Sequence, residues 1–187
     1  MDGMTTLLPR SRPLNRADLD ALRDATPNDG RRYELIDGVL VVTPGPTLQH
    51  QRVLGELLVA LHEACPRSLE VLFGPLDVSL SDDTVMQPDL LVAPRTDFTD
   101  RDLPTAPRLA VEVLTPSTRL IDLTLKRSRF EEAGAGSYWV VDPDELTLTA
   151  WDLVDGRYVQ VADVRGDQPY EATRPFPVTV VPAQLLD

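Results

Sequence analysis

The chain has 187 residues, 42% apolar and 26% charged, the profile of one ordinary globular domain able to bury a core. Its apolar stretches are too short for a membrane helix and residues 1–12 lack a signal-peptide centre; the lone Cys65 rules out a disulfide framework or Cys-rich zinc site within one chain, so a cytoplasmic protein is expected. Thirty acidic against 18 basic residues give a net charge of −12, an awkward balance for neutralising phosphates.

Residues 1–30 read as a loose tail and a short helix, capped by Asn15 with Asp18 and running to about Asp24. Residues 31–187 read as a single domain. Asp37-Gly38 lies between two apolar runs, and a two-residue type I′ turn there makes residues 33–42 a hairpin. That turn sets Ile36 opposite Val39, Leu35 opposite Leu40 and Glu34 opposite Val41. Residues 47–64 carry Val53, Leu54, Leu57, Leu58 and Leu61 at helical spacing.

Residues 71–73 and 76–80 read as strands around a Gly74-Pro75 turn. Residues 87–93 and 109–114 are apolar strands separated by a Pro- and Asp-rich loop, the second apolar enough for a central position. Thr115-Pro-Ser-Thr118 offers capping residues for a helix over 118–133, which Gly134 and Gly136 end. Strands over 137–141, 146–153 and 157–162 follow, the last two joined at Asp155-Gly156. The order predicts a mixed α/β (α+β) sheet core flanked by helices, with an N-terminal β-hairpin.

Several polar residues sit where apolar ones are expected. Glu112 shares a strand face with Ala110 and Leu114, and a carboxylate there needs a cation, a proton or several donors. Asp89 follows Pro88 and opens an apolar strand; Glu34 is the charged residue inside the hairpin arms. The plain alternatives are a buried ion pair for Glu112, a strand cap for Asp89 and an edge strand that lets Glu34 reach water. Oxygen ligands of this kind suit Mg²⁺, which typically takes one or two carboxylates and completes its shell with water and phosphate.

Lys126 is the sole lysine; every other basic residue is arginine. That points to a place requiring a compact ammonium rather than a guanidinium fork. An exposed partner for Asp122, four residues earlier, is the alternative. His50 opens the first long helix and is more simply a structural or capping residue. With His62 it makes no familiar zinc spacing, and neither a Gly-x-Ser-x-Gly nor a phosphate-cradling Gly-rich loop is present. Arg95, Arg101, Arg108, Arg119, Lys126, Arg127 and Arg129 crowd one central stretch, so a local basic patch on an acidic body stays open.

Taken in series, Tyr33-Glu-Leu-Ile-Asp-Gly38, His50, Pro88-Asp89, Val111-Glu-Val-Leu-Thr-Pro-Ser117, Asp122 with Lys126, and Tyr138-Trp-Val-Val-Asp-Pro143 resemble the Uma-two family of restriction-endonuclease-like proteins. That family belongs to the PD-(D/E)XK nuclease superfamily, and the resemblance runs from about Arg31 to Leu153. It implies that Asp89 and Glu112 bind a divalent metal, Mg²⁺ or Mn²⁺, with Glu34 as an accessory acid. The superfamily's usual Glu-x-Lys would put lysine at 114, where this chain has Leu114. The family moves that lysine to the following helix, which Lys126 matches.

The catalytic set expected is therefore Asp89, Glu112, Lys126 and Glu34, with His50 and Asp122 as accessory candidates. The function expected is an Mg²⁺-dependent endonuclease hydrolysing DNA phosphodiester bonds. A homodimer is expected because double-strand cleavage calls for two sites; no membrane and no organic cofactor are expected. The alternatives are a catalytically silent nuclease-fold module that binds nucleic acid or a protein partner in defence or mobile-element systems, and a plain α/β domain with buried ion pairs.

Overall fold

The computed structural model describes residues 12–27 and 29–186. The tail expected over residues 1–12 lies, apart from Arg12, outside the described residues. Asn15 caps helix α1 (Arg16–Ala25) in a reciprocal box with Asp18, as the sequence predicts. Leu19 of this helix packs against Tyr33, Leu35 and Val85.

Strands β1 (Arg31–Ile36) and β2 (Val39–Pro44) form the expected hairpin in the expected register. Asp37 and Gly38 adopt φ of 52° and 72°, the paired positive values a type I′ turn requires. Thr47 caps helix α2 (Leu48–Ala64), whose Val53, Leu54, Leu57 and Leu61 are buried.

The two segments flanking Gly74-Pro75 do not pair with each other. Strand β3 (Leu69–Phe73) joins a six-stranded sheet, whereas β4 (Val78–Ser81) joins the hairpin's sheet through β5 (Thr84–Met86), a short strand not anticipated from the sequence. The hairpin's sheet runs β2-β1-β5-β4, so β1 is an interior strand, and the edge-strand alternative for Glu34 fails.

The six-stranded sheet adds β6 (Leu90–Pro94), β7 (Leu109–Val113), β8 (Ser137–Asp142), β9 (Thr147–Val154) and β10 (Arg157–Arg165), in the order β10-β9-β8-β7-β6-β3. Only β7 and β8 among these pairs run parallel, joined by the helical crossover that parallel strands need. A two-stranded ribbon, β11 (Tyr170–Ala172) and β12 (Val178–Val180), follows, and then a 3-10 turn (Pro182–Leu186).

That crossover is one helical run of three kinds. A short turn α3 (Arg119–Ile121) leads into a π-helical turn (Asp122–Lys126) and then α4 (Arg127–Ala133), which ends at Gly134 with φ 85°. The expected side-chain capping is absent: Thr118 starts the run without a side-chain cap, and backbone bonds to the Thr115 carbonyl hold the entry instead. The π turn buries both Asp122 and Lys126.

Strand alternation divides the interior into two cores. Leu109, Val111 and Val113 face α2, while Ala110 and Leu114 face Phe130, Tyr138 and the hairpin residue Ile36. Glu112 belongs to this second face, and extending the β6–β7 register sets Asp89 opposite it.

Candidate active site

Six side chains singled out in the sequence, Glu34, His50, Asp89, Glu112, Asp122 and Lys126, line one cavity of about 200 Å³. They arrive from four places. Glu34 comes from the hairpin, His50 from the first turn of α2, Asp89 from just ahead of β6 beside Glu112 of β7, and Asp122 and Lys126 from the π turn. Each is less than 5% exposed. The plain reading of an exposed lysine is therefore excluded for Lys126.

Lys126 is the hub. Its Nζ lies 2.7 Å from Glu112 Oε1, 2.9 Å from Glu34 Oε1 and 3.7 Å from Asp122 Oδ1. Burial works to lower this ammonium's pKa, but the charges of Glu112, Glu34 and Asp122 outweigh it and raise it, so the lysine stays protonated. Glu34 Oε1 also accepts from the Gln87 backbone N–H at 2.7 Å. The contact to Glu112 is close but off-axis, and Oε1 is left buried without a well-aligned hydrogen bond.

Asp89 is held differently. Its Oδ2 accepts from the Val113 N–H at 2.8 Å and lies 3.0 Å from His50 Nε2, while Arg32 donates to Oδ1 at 2.8 Å. Burial alone would raise this carboxyl, yet the His50 hydrogen bond and the charges of Arg32, His50 and Lys126 prevail and bring it to about 2. Asp89 is thus a fixed carboxylate.

Glu112 and Asp122 go the other way. Burial, reinforced by neighbouring carboxylates, raises Glu112 well above the ordinary range against the pull of Lys126. Asp122 is pushed up to about 6, again mainly by burial. The Tyr138 hydroxyl fixes the π turn by donating to the Asp122 carbonyl at 2.9 Å.

Arg32 is the participant sequence reasoning missed. It stands two residues before Glu34 and therefore on the same strand face, the signal that could have found it.

The donor chemistry suits a hard divalent cation. Four carboxyl groups, of which burial holds Glu112 and Asp122 back from full ionisation, meet two permanent cations, Arg32 and Lys126, and a hard divalent ion would favour the fully ionised set. Glu112 Oε1 is a buried acceptor lacking an aligned donor. Among the described residues, no three His, Cys, Asp or Glu side chains are grouped to hold a metal ion, so two carboxylates at most would bind one and water or phosphate would complete the shell.

Most of the central arginines are engaged by neighbouring side chains. Arg95 pairs with Glu70, Arg101 with Asp20, Arg119 with Asp142 and Arg129 with Asp37 and Glu132, while Arg127 stacks over Trp151.

A family model described as "Uma2: Putative restriction endonuclease" matches residues 17–184, beyond the 31–153 over which the motifs run. Among solved structures, a crystal structure of "a putative nuclease belonging to DUF820" from Anabaena variabilis ATCC 29413 superposes with a TM-score of 0.68. It covers 93% of this chain and 98% of that chain at 19% identity, a likeness of fold. No curated protein matches. No described helix is long and apolar enough to cross a membrane.

Proposed function

Since this chain belongs to the Uma2 family, we propose that it is a metal-dependent endonuclease that hydrolyses phosphodiester bonds in DNA, acting in the cytoplasm as a homodimer. The observation that carries the reading is the gathering of Glu34, Glu112 and Asp122 about one buried lysine, with Asp89 in the same cavity. Asp89 and Glu112 would hold Mg²⁺ or Mn²⁺. Such an ion, when bound, polarises a phosphoryl oxygen and lowers the pKa of a water.

The chain's own residues divide the remaining work. His50, Arg32 and the Val113 N–H keep Asp89 ionised and oriented, the charge state in which a carboxylate binds a cation. Lys126 is a permanent donor anchored between Glu34 and Glu112. It is suited to orient the attacking water or to offset charge building on the phosphoryl group in the transition state. Glu34 and Asp122 steady that ammonium. Two copies of the site would be needed to cut both strands, which is the reason for a homodimer.

The silent nuclease-fold module draws on one observation, the net charge of −12 with its central arginines engaged by carboxylates. Cleavage of plasmid and single-stranded DNA in Mg²⁺ or Mn²⁺, beside Asp89→Ala, separates the two. Cleavage by the parent and not the variant supports the enzyme. Absence of both cleavage and Asp89-dependent metal binding supports the silent module.

A further inference from the structure

Beside the carboxylate pocket lies a second cavity of about 420 Å³, roughly twice as large. The two share Arg32 and the turn Pro44-Gly45-Pro46 as a common wall. A strand whose phosphate entered the first cavity would have its adjoining nucleoside next to the second.

The lining mixes apolar surface, from Leu54, Pro46 and Pro75, with one free amide, an exposed guanidinium and the Asp29 carboxylate. Gln51 is exposed on α2, and its side-chain amide has no hydrogen-bond partner among the described residues. Arg31 is exposed and makes no close ion pair among them, although its charge acts on Asp29, a carboxylate of the same lining. An amide can donate to and accept from a base edge, and a guanidinium can meet the flanking phosphate.

We propose that this cavity receives the unpaired base of the nucleotide next to the scissile phosphate, so that each site engages a single strand or one locally opened strand of a duplex. The inference rests on the phosphodiesterase reading above. A base seated in this recess has left its stack, so a duplex would first have to be opened. The charge distribution agrees. Duplex binding draws on a broad basic footprint, whereas here Arg95, Arg101, Arg119 and Arg129 are bound to carboxylates. An unpaired strand gains affinity from burying its bases and needs fewer phosphate contacts.

The test is fluorescence anisotropy in EDTA, comparing a labelled oligothymidylate with a blunt duplex of equal length. The wild type should bind the single strand about tenfold more tightly. Gln51→Trp, which fills the cavity, and Arg31→Glu, which reverses the charge in its wall, should each bring that affinity down to the duplex level. With Mg²⁺ restored, both variants should hydrolyse bis(p-nitrophenyl) phosphate, which needs the first cavity alone, at the wild-type rate. Equal or tighter duplex binding by the wild type, or single-strand affinity unchanged in both variants, overturns the proposal. A single-strand preference lost in the variants, with no diester hydrolysed by any protein, would instead keep the cavity and remove the hydrolytic reading.

Discussion

Lys126 Nζ lies 2.7 Å from Glu112 Oε1, although the ammonium comes from the crossover helix and the carboxylate from the strand before it. The strand position where the superfamily would carry lysine holds Leu114, which is buried against the second core. The helix restores the missing contact, and the π turn is the local device that does so. Its wider turn lets Asp122 and Lys126 share the buried side, at 3.7 Å from each other.

Lys126→Arg should therefore be as damaging as removal of the charge. The pocket around Lys126 is closed, and a guanidinium there overfills it by an amount typically costing ~1–3 kcal/mol. Metal-dependent cleavage should fall at least about 100-fold, the scale of one lost electrostatic contact to a transition state. Full activity in this variant would remove the lysine from the chemistry.

Stability in EDTA should depend on pH in two windows of opposite sign. Asp122 sits at about 6 when folded, above its ordinary unfolded value near 4. The folded state then holds the extra proton, so stability falls as pH rises from about 4 to about 6, by at most ~3 kcal/mol. Glu112 is raised too and extends the decline. Asp89, lowered to about 2, contributes stability above pH ~4 that is lost as pH falls toward 2. Urea melts across pH should show both limbs, with the upper one shallower in Asp122→Asn. An upper limb unchanged in that variant would mean the proton is held elsewhere.

The contrast between these residues shows where sequence was legible. Glu112 stood out because a carboxylate amid apolar strand residues must be compensated, and Lys126 because it is the sole lysine. The Asp37-Gly38 hairpin was readable because turn chemistry is local. The fate of the segments around Gly74-Pro75 was not, since pairing with β6 or β5 is decided by partners distant in sequence. Nor was the π turn visible as such: its five residues break the 3.6-residue period, so the helix showed no clean apolar stripe. Arg32 escaped because its partner, Asp89, is 57 residues away.

His50 contacts Asp89 rather than any residue of its own helix face, so it should act through that carboxylate. His50→Ala removes a donor 3.0 Å from Oδ2 and should weaken Mn²⁺ binding by about 10–100-fold. Calorimetric titration measures this directly, without reference to cleavage. A change under about twofold would show that Arg32 and the Val113 N–H suffice to orient Asp89.

Glu112→Gln should separate stability from metal binding. Without a bound cation the pocket carries an excess of negative charge, and burial already pushes Glu112 toward its protonated, neutral form. A neutral amide of the same shape removes one carboxylate from that excess and leaves Lys126 its 2.9 Å contact to Glu34. In EDTA at pH 8 the variant should melt higher than the parent, by a few degrees if the gain is ~1 kcal/mol. The order should reverse on adding Mg²⁺, because the parent gains stability from the ion in proportion to its affinity and the variant has lost a ligand. Such a crossing is expected of a site whose arrangement is kept for what it binds and not for the stability of the empty fold. A variant that melts lower than the parent both with and without Mg²⁺ would instead assign Glu112 to a structural ion pair with Lys126.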